Sequence, residues 1–425
     1  TVMQLDETAI RTLELIEAAS GEKRHTLWGL LDCCRTPMGS RKLKAWLLHP
    51  STDLREIEHR QNCVEDLFDK PDSRRALTTL LQEIADLPRV TSRLSTRQAA
   101  PRDLGALRRS LSRLPALERW LGETAFSSGL ATLAAALAET ARSLSTLASK
   151  LEAALVEAPP AKLGDGGLIR PGFHHELDEL RRLKTDSDQV LAELEERERK
   201  ATGISTLKAG YNSVFGYYLE ISKAQSLKAP ASYTRKQTLT NAERYITPEL
   251  KELETRILTA EEKMLRLEAQ LFNDLRDEAI GYHGALLRLS DLLSELDGFQ
   301  SLASVAAMHD FVKPKVDFSY DLDIVEGRHP VLAALLPSGT FVANSLTLNA
   351  RDPQILILTG PNMAGKSTYL RQNALIALLA QIGSFVPAKS ARVGVVDKIL
   401  TRIGAQDALA QGDSTFMVEM KETSH

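Results

Sequence analysis

The chain has 425 residues, enough for about three domains of about 150 residues, each with its own core. Hydrophobic residues make up 43% and charged residues 26%, a composition that excludes a disordered chain and favours an ordinary globular one. The formal net charge of −3 excludes a global attraction to nucleic acid, so any DNA-binding surface must be a local basic patch.

Neither the apolar runs nor the cysteines indicate secretion. The most apolar window, around residues 374–380, is far shorter than the ~20 residues of a membrane helix, and the first ten residues lack the layout of a signal peptide. We therefore expect a cytoplasmic protein without membrane contact. Cys33, Cys34 and Cys63 are an odd set without metal-ligand spacing, which we interpret as reduced thiols in the core.

Residues 1–170 predict an all-helical core. In stretches such as LSRLPALERWL the apolar residues recur at helical spacing, and strand-like alternation is nearly absent. Proline and glycine then cluster in EAPPAKLGDGGLIRPGF, which predicts a turn-rich connection and a domain boundary.

Two long charged helices follow, one within residues 171–202 and one within residues 247–310. Thr247 as N-cap and Pro248 as first helical residue open the second helix. Its apolar residues step by three and four, the spacing of a coiled-coil seam: Leu250, Leu253, Ile257, Ala260, Met264, Leu267 and Leu271. We predict two lever helices that run side by side.

Residues 203–246, which these helices enclose, predict a small β-rich module because they are rich in Tyr, Val, Ile, Thr and Gly. We interpret the aromatic residues as the core of this module. Its basic residues are candidates for contact with DNA phosphates, which would position a duplex without reading its sequence: Lys223, Lys228, Arg235, Lys236 and Arg244. The alternative, that these basic residues only solubilise the module, stays open.

Residues 311–425 predict an α/β domain, because short apolar runs such as YDLDIV, QILIL and VDKILTRIG alternate with turns and one helix. In TGPNMAGKST, residues 359–368, the pattern G-x-x-x-x-G-K-S lies between a predicted strand and a helix. Glycines let backbone N–H groups point at phosphates, Lys366 supplies positive charge, and Ser367 can ligate Mg²⁺. The pattern predicts a nucleoside triphosphate site, without deciding between ATP and GTP.

Together these segments resemble the MutS family of DNA mismatch-repair ATPases over nearly the whole chain. The motifs that carry the resemblance stand in family order: LDETAIRTLEL, TPMGSRKLKAWLLHP, NAERYITPELKELE, ELDGFQSLASVA, EGRHPVL, TGPNMAGKSTYLRQ and DALAQGDSTFMVEM. The resemblance implies a multidomain α and α/β fold: a helical core at 1–170, lever helices at 171–202 and 247–310, a DNA clamp at 203–246, and the N-terminal part of a P-loop ABC-type ATPase domain at 311–425.

The resemblance also implies ligands, partners and residue roles. ATP and Mg²⁺ would bind, with Ser367 as metal ligand and Phe341 stacked on adenine. Ser414, in a polar run that alone predicts only a loop with a helix cap, would reach across a homodimer to the other subunit's nucleotide. The implied loop residues are Gly360, Pro361, Asn362, Met363, Ala364, Gly365, Lys366, Ser367 and Thr368. Double-stranded DNA, a second subunit bound through the ATPase domains, and MutL are the implied partners.

Some features depart from the family pattern. Ala364 stands where many relatives have glycine, a small change that should leave the amide cradle intact. The family's mismatch-reading and connector domains would precede residue 1, so we expect no mismatch recognition by this chain alone. The chain also ends before the acidic Walker B strand that would hold Mg²⁺ and orient water. We therefore interpret it as a fragment without a complete catalytic set, although the family hydrolyses ATP.

Two alternative functions remain. A recombination- or chromosome-associated ATPase of the MutS branch or the SMC type also joins a P-loop to a coiled-coil DNA clamp. Such loops usually differ where NMAGKS stands here, and the SMC type needs a far longer coiled coil than residues 176–201 provide. In isolation, the chain is alternatively a non-catalytic DNA-binding scaffold.

Overall fold

The computed structural model describes residues 2–124, 126, 128–212, 216–337, 339–361 and 364–402. Helices dominate these ranges and the strands form small sheets, which confirms the predicted helical core with a small β insertion. The chain divides into two compact units. Unit 1 comprises Thr1–Ser92, Arg109–Ser145 and Tyr282–His425, and unit 2 comprises Arg93–Arg108 and Thr146–Gly281. None of the described helices combines the length and the apolar character needed to cross a bilayer.

The elements are numbered in chain order. The helices are α1 (Glu7–Thr12), α2 (Leu27–Leu31), α3 (Pro37–Leu48), α4 (Leu54–Phe68), α5 (Pro71–Leu81), α6 (Leu87–Ser95), α7 (Pro101–Ser112), α8 (Leu114–Glu123), α9 (Ser128–Ala154), α10 (His175–Thr202), α11 (Pro248–Gly281), α12 (His283–Met308), α13 (Pro330–Leu335) and α14 (Lys366–Gln381). The strands are β1 (Gln4–Leu5), β2 (Lys208–Asn212), β3 (Gly216–Ser222), β4 (Thr234–Thr238), β5 (Ala242–Ile246), β6 (Lys315–Asp317), β7 (Leu322–Gly327), β8 (Asn344–Leu348), β9 (Ser390–Gly394) and β10 (Lys398–Ile399). They form three groups, with the orders β1-β10, β2-β3-β5-β4 and β6-β9-β7-β8.

Helix α12 is central to the helical part of unit 1. Its second half is buried almost all round, because it is apolar on most of its circumference and packs against α3, α4 and α5. Trp46 of α3 stacks on Phe299 with ring centroids 5.2 Å apart. A Cβ at the neighbouring Gly298 would lie 2.8 Å from the Trp46 ring, so only glycine allows this approach.

The buried carboxylate of Asp297 joins α12 to the start of α3. It accepts hydrogen bonds from the backbone N–H groups of Arg35 at 2.9 Å and Thr36 at 2.7 Å. The Thr36 hydroxyl, at 2.7 Å, and the amide nitrogen of Gln300, at 3.2 Å, donate to it as well. These bonds satisfy donors at a helix start that no helical carbonyl reaches. The segments TPMGS and ELDGFQ therefore meet at one fully buried carboxylate.

The three cysteines are free thiols, as predicted. Cys63 is buried, and Cys33 and Cys34 are half-buried. Burial raises the pKa of Cys63 to about 12, so this thiol stays protonated and unreactive at neutral pH.

Helices α10 and α11 of unit 2 pack against each other, as predicted for the lever pair. Gly203 ends α10 in the left-handed conformation with φ of 65°. The hydroxyl of Thr247 accepts from the N–H of Leu250 at 3.2 Å, which confirms the predicted N-cap of α11. Local capping signals thus set both inner ends of the pair.

The predicted seam of α11 does not continue along the helix. Beyond Ala260 the buried positions are Glu268, Phe272, Leu275 and Ala279, whereas the predicted Met264, Leu267 and Leu271 are only half-buried. The carboxylate of Glu268 accepts from the N–H of Gly167 at 2.8 Å and pairs with Arg181 of α10 at 3.0 Å. A buried carboxylate needs such partners, and reaching them brings this face of α11 inward.

The sheet of β2–β5 encloses a small core. Tyr233 and Tyr245 are buried together with Leu219 and Ile221, and residues of α10 and α11 complete the cluster. The Tyr233 hydroxyl donates to Glu198 of α10 at 2.6 Å. The predicted core role of the aromatic residues is confirmed for these two tyrosines.

The remaining sheet contains one predicted strand and lacks another. β7 overlaps the YDLDIV run and pairs antiparallel with β8 and β9, while β6 and β9 are parallel. The strand predicted at residues 355–358 is wrong, because these side chains are 36 to 82% exposed and no described strand pairs with them. A strand with two apolar faces needs neighbouring strands and cover on both sides, which the described residues do not provide here.

Candidate functional site

The loop at residues 359–368 leads into α14 through two glycines with positive φ. Gly360 has φ of 148°, and Gly365, the N-cap of α14, has φ of 86°, which glycine adopts without strain. Lys366 opens the helix, and its ammonium group donates a hydrogen bond back to the carbonyl of Gly360. One loop therefore combines this ammonium with the free N–H groups and positive dipole end of a helix N-terminus.

A cavity of about 780 Å³ opens beside this loop. Phe341 and Leu332 contribute apolar walls, and Lys366 and Tyr369 line the side formed by α14. The Tyr369 hydroxyl donates to the carbonyl of Ser345 at 2.8 Å, which fixes β8 against α14. Small-molecule sites measure about 300–1,000 Å³, so this cavity has the size for a nucleotide.

Gln372 gives the cavity a buried hydrogen-bond acceptor. Its Nε2 donates to the carbonyl of Asn344 at 3.3 Å, and its Oε1 has no hydrogen-bond partner among the described residues. The Lys366 ammonium and the N-terminus of α14 are groups that bind phosphate. The Phe341 ring and the Gln372 acceptor are groups that bind a base carrying N–H donors. Sequence reasoning missed Tyr369 and Gln372, although steps of three from Lys366 place all three on one helix face.

The other predicted loop residues fall into two groups. Pro361, Ala364 and Ser367 are exposed and Thr368 is half-buried, whereas Asn362, Met363 and Ser414 lie outside the described residues. The Ser367 hydroxyl directly follows the ammonium-bearing residue at the start of α14. It is an oxygen ligand of the kind that Mg²⁺ takes from a protein, so the residues present fit a Mg²⁺-nucleotide.

His329 holds one wall of the cavity in place. Its Nδ1 accepts from the N–H of Leu332, at 3.4 Å, and so caps the short helix α13. Burial, and secondly the nearby Arg371 guanidinium, lower the pKa of His329 to about 4. The neutral form, with Nδ1 unprotonated, is therefore the form that the fold requires.

We expect His329 to make the protein less stable in mild acid. Its pKa is about 4 when folded and about 6.5 when unfolded, so the unfolded chain binds more protons between these values. The contribution of neutral His329 to the free energy of unfolding is fully present well above pH 6.5. It falls by roughly 2.5 kcal/mol between pH 7 and 4.5. Urea unfolding at both pH values measures this loss. His329→Asn, which keeps a capping side chain but does not titrate, should remove it, and the exposed His175→Asn should not; equal pH dependence in both variants would contradict the assignment.

The sheet of β2–β5 carries a second candidate site, made of exposed cations. Lys223 and Lys228 are exposed beside the turn after β3 and form no ion pair with a described residue. Lys236 is exposed on β4. The side chain of Arg235 is 61% exposed and lies 3.5 Å from the Glu243 carboxylate. Exposed cations suit a phosphate backbone.

Arg244, the fifth predicted cation, is held within the sheet. Its side chain is only 16% exposed and pairs with Glu220 at 2.9 Å. Its guanidinium also donates to Gln237 at 3.0 Å and lies 4.0 Å from the ring centroid of Tyr218. The structure thus gives Arg244 partners within the sheet.

Comparison with protein families and with curated proteins gives concordant matches. Residues 8–303 match MutS domain III, and residues 356–425 match MutS domain V. The chain is similar to the DNA mismatch repair protein MutS of Exiguobacterium sp. at 49% identity, of Salinibacter ruber at 47% and of Solibacter usitatus at 47%. Each alignment covers 99% of this chain, and 49%, 46% and 49% of the respective relative. The chain spans about half the length of the curated relatives it matches.

Proposed function

The chain belongs to the MutS family of DNA mismatch repair proteins, and from this membership we propose that it couples nucleotide binding at residues 359–368 to the binding of duplex DNA by the clamp at residues 203–246. The proposed organisation is a helical core at 1–170, lever helices at 171–202 and 247–310, and the N-terminal part of a P-loop ATPase domain at 311–425.

The position of Lys366 is the observation that carries the nucleotide proposal. Its ammonium lies at a helix N-terminus beside a nucleotide-sized cavity, and among the described residues its hydrogen-bond partner is the carbonyl of Gly360. With ATP bound, this ammonium would exchange the Gly360 carbonyl for the β- and γ-phosphates, and Phe341 would stack on adenine. Mg²⁺ would neutralise phosphate charge, with Ser367 as its protein ligand.

A homodimer is the proposed assembly. Ser414 would contact the nucleotide of the other subunit, so the two 311–425 regions would face each other. We propose MutL as a partner from family membership alone. ATP binding would then act as a switch in the assembled protein, and its effect on DNA binding would be reciprocal because the two sites are linked.

The exposed cations of the β2–β5 sheet support the DNA proposal. Lys223, Lys228, Arg235 and Lys236 would contact phosphates and position a duplex without reading its sequence. Arg244 would contribute to DNA binding by holding the strands in place, because its guanidinium is bonded to Glu220 and Gln237 within the sheet.

Removing two of these cations should reduce the salt dependence of DNA binding. We expect the double variant Lys223→Ala/Lys228→Ala to bind more weakly and to lower the slope of log K against log salt by about 2, close to one per lost phosphate contact. Fluorescence anisotropy of a labelled duplex across a salt series measures the slope. Matched and mismatched duplexes should behave alike.

The control is Lys200→Ala, an exposed lysine of the same unit that pairs with Glu196 at 2.7 Å. It should leave the slope unchanged. An unchanged slope in the double variant, or binding that selects mismatches, would remove these lysines from the DNA surface.

A further inference from the structure

The C-terminal end of α14 is bonded to the turn between α3 and α4. Gln381, the last residue of α14, is fully buried, and its Nε2 donates to the carbonyl of Ser51 at 2.9 Å. The backbone N–H of Ser51 donates back to the carbonyl of Gln381 at 3.3 Å. The Gln381 side chain also exchanges two bonds with the backbone of Val396, at 2.8 and 3.0 Å. One amide thus connects three chain segments.

Arg60 of α4 makes a second connection at the same end of α14. Its guanidinium donates to the carbonyl of Ile382 at 3.4 Å and pairs with Glu56, which in turn accepts from the Ser51 hydroxyl at 2.6 Å. Gly383 has φ of 84°, and a Cβ there would lie 2.3 Å from the Cβ of Arg60. Helix end and core turn are therefore in close contact through a closed polar network.

This network lies at the opposite end of α14 from the phosphate loop. The helix has 16 residues, so its ends are separated by about 24 Å, and Gln381 does not touch a ligand at Lys366. A helix transmits a displacement along its axis because its hydrogen-bond ladder is stiff and its interior residues are close-packed. The turn that Gln381 contacts leads into α4, which packs on α12, and α12 follows directly after α11 in the chain.

We propose that Gln381 is a positioning residue through which nucleotide occupancy at the loop is coupled to the helical core and thereby to DNA binding. This inference rests on the proposed function and names the connection that function needs. The amide suits this role because it donates and accepts at once, so it holds α14 to two backbone segments in one register.

The test compares coupling in matched variants of the full chain. Gln381→Met keeps the side-chain volume and removes three hydrogen bonds. Asn373→Leu is the control, because Asn373 is a buried amide whose two hydrogen bonds among the described residues both stay within α14: its Nδ2 donates to the carbonyl of Tyr369 at 2.9 Å, and its Oδ1 accepts from Gln372 at 3.5 Å. The readout is the ratio of the Kd for duplex DNA with and without saturating Mg·ATP, together with the Kd for Mg·ATP alone.

We expect the wild-type ratio to differ from 1 by about 5- to 150-fold. Gln381→Met should bring the ratio to within about twofold of 1 while changing the Kd for Mg·ATP by less than about twofold. Asn373→Leu should keep the wild-type ratio. A purely structural role would lower Tm in Gln381→Met and leave the ratio intact, which would overturn the inference. A wild-type ratio of 1 would instead refute the proposed function on which the inference rests.

A second variant and one further result distinguish failure of this inference from failure of the proposed function. If Gln381→Met does not fold, Arg60→Lys replaces it, because lysine keeps the cation for Glu56 but has one nitrogen in place of the two with which Arg60 reaches Glu56 and the Ile382 carbonyl. We expect it to reduce the ratio, and an unchanged ratio would contradict the inference. A wild-type chain that binds DNA but no Mg·ATP would instead refute the proposed function.

Discussion

Lys366→Ala is expected to raise the Kd of the chain for Mg·ATP by about 100-fold or more. The ammonium of Lys366 donates a hydrogen bond to the Gly360 carbonyl at the loop. In the proposed complex it would contact two phosphate groups, and charge-assisted bonds contribute about 1.5–3 kcal/mol each. A loss of about 3 kcal/mol corresponds to about 100-fold in Kd. Isothermal titration of Mg·ATP into both proteins measures the change.

The control for this substitution is Lys315→Ala. Lys315 lies on β6, within the same 311–425 segment as Lys366. Its side chain is 71% exposed, and its ammonium lies 3.9 Å from the Asp317 carboxylate. Its removal should leave the Kd within about twofold, because exposed ion pairs contribute little. Equal affinities of Lys366→Ala and the wild type would exclude the loop from the nucleotide site.

Asp297→Ala is expected to cost about 4 kcal/mol of unfolding free energy, the largest stability effect that we predict. The carboxylate is fully buried and accepts hydrogen bonds from Arg35, Thr36 and Gln300. Alanine would leave several buried donors unsatisfied at about 1–3 kcal/mol each, partly offset by relaxation and water entry. Urea unfolding followed by circular dichroism measures the loss. Asp297→Asn, which keeps one acceptor oxygen, should have an intermediate effect.

Asp291 provides the matched control, since it is an aspartate of the same helix. Its side chain is 65% exposed and pairs with Lys42 at 2.6 Å. We expect Asp291→Ala to cost less than about 1 kcal/mol, because surface ion pairs are screened by solvent. Comparable losses for the two aspartates would show that the Asp297 bonds do not stabilise the start of α3.

Features with local signals could be predicted from the sequence. The Thr247-Pro248 cap set the start of α11, because capping depends on residues within one helical turn. The spacing of Gly360, Gly365 and Lys366 likewise predicted a loop that ends in a helix N-terminus, because positive φ and phosphate charge each require a particular residue type.

Features that depend on distant partners could not be predicted. The strand pattern of residues 355–358 is clear, but a strand forms only where neighbouring strands are present. Arginine is a residue type that binds phosphate, but Arg244 pairs with Glu220 on the adjacent strand, and the sequence does not reveal this pairing. Glu268 interrupts an apolar seam because of Arg181 and Gly167, whose positions no local periodicity reveals. No sequence motif marks Gln381, because its hydrogen-bond partners, Ser51 and Val396, belong to two other chain segments.

The reciprocal effect of DNA on nucleotide binding tests the central claim most directly. The Kd for Mg·ATP is measured by titration with and without a saturating duplex, at one salt concentration. We predict that the duplex changes this Kd by the same factor by which Mg·ATP changes the Kd for the duplex, because linkage between two sites is symmetric. Identical Kd values for Mg·ATP with and without the duplex would contradict the proposed coupling.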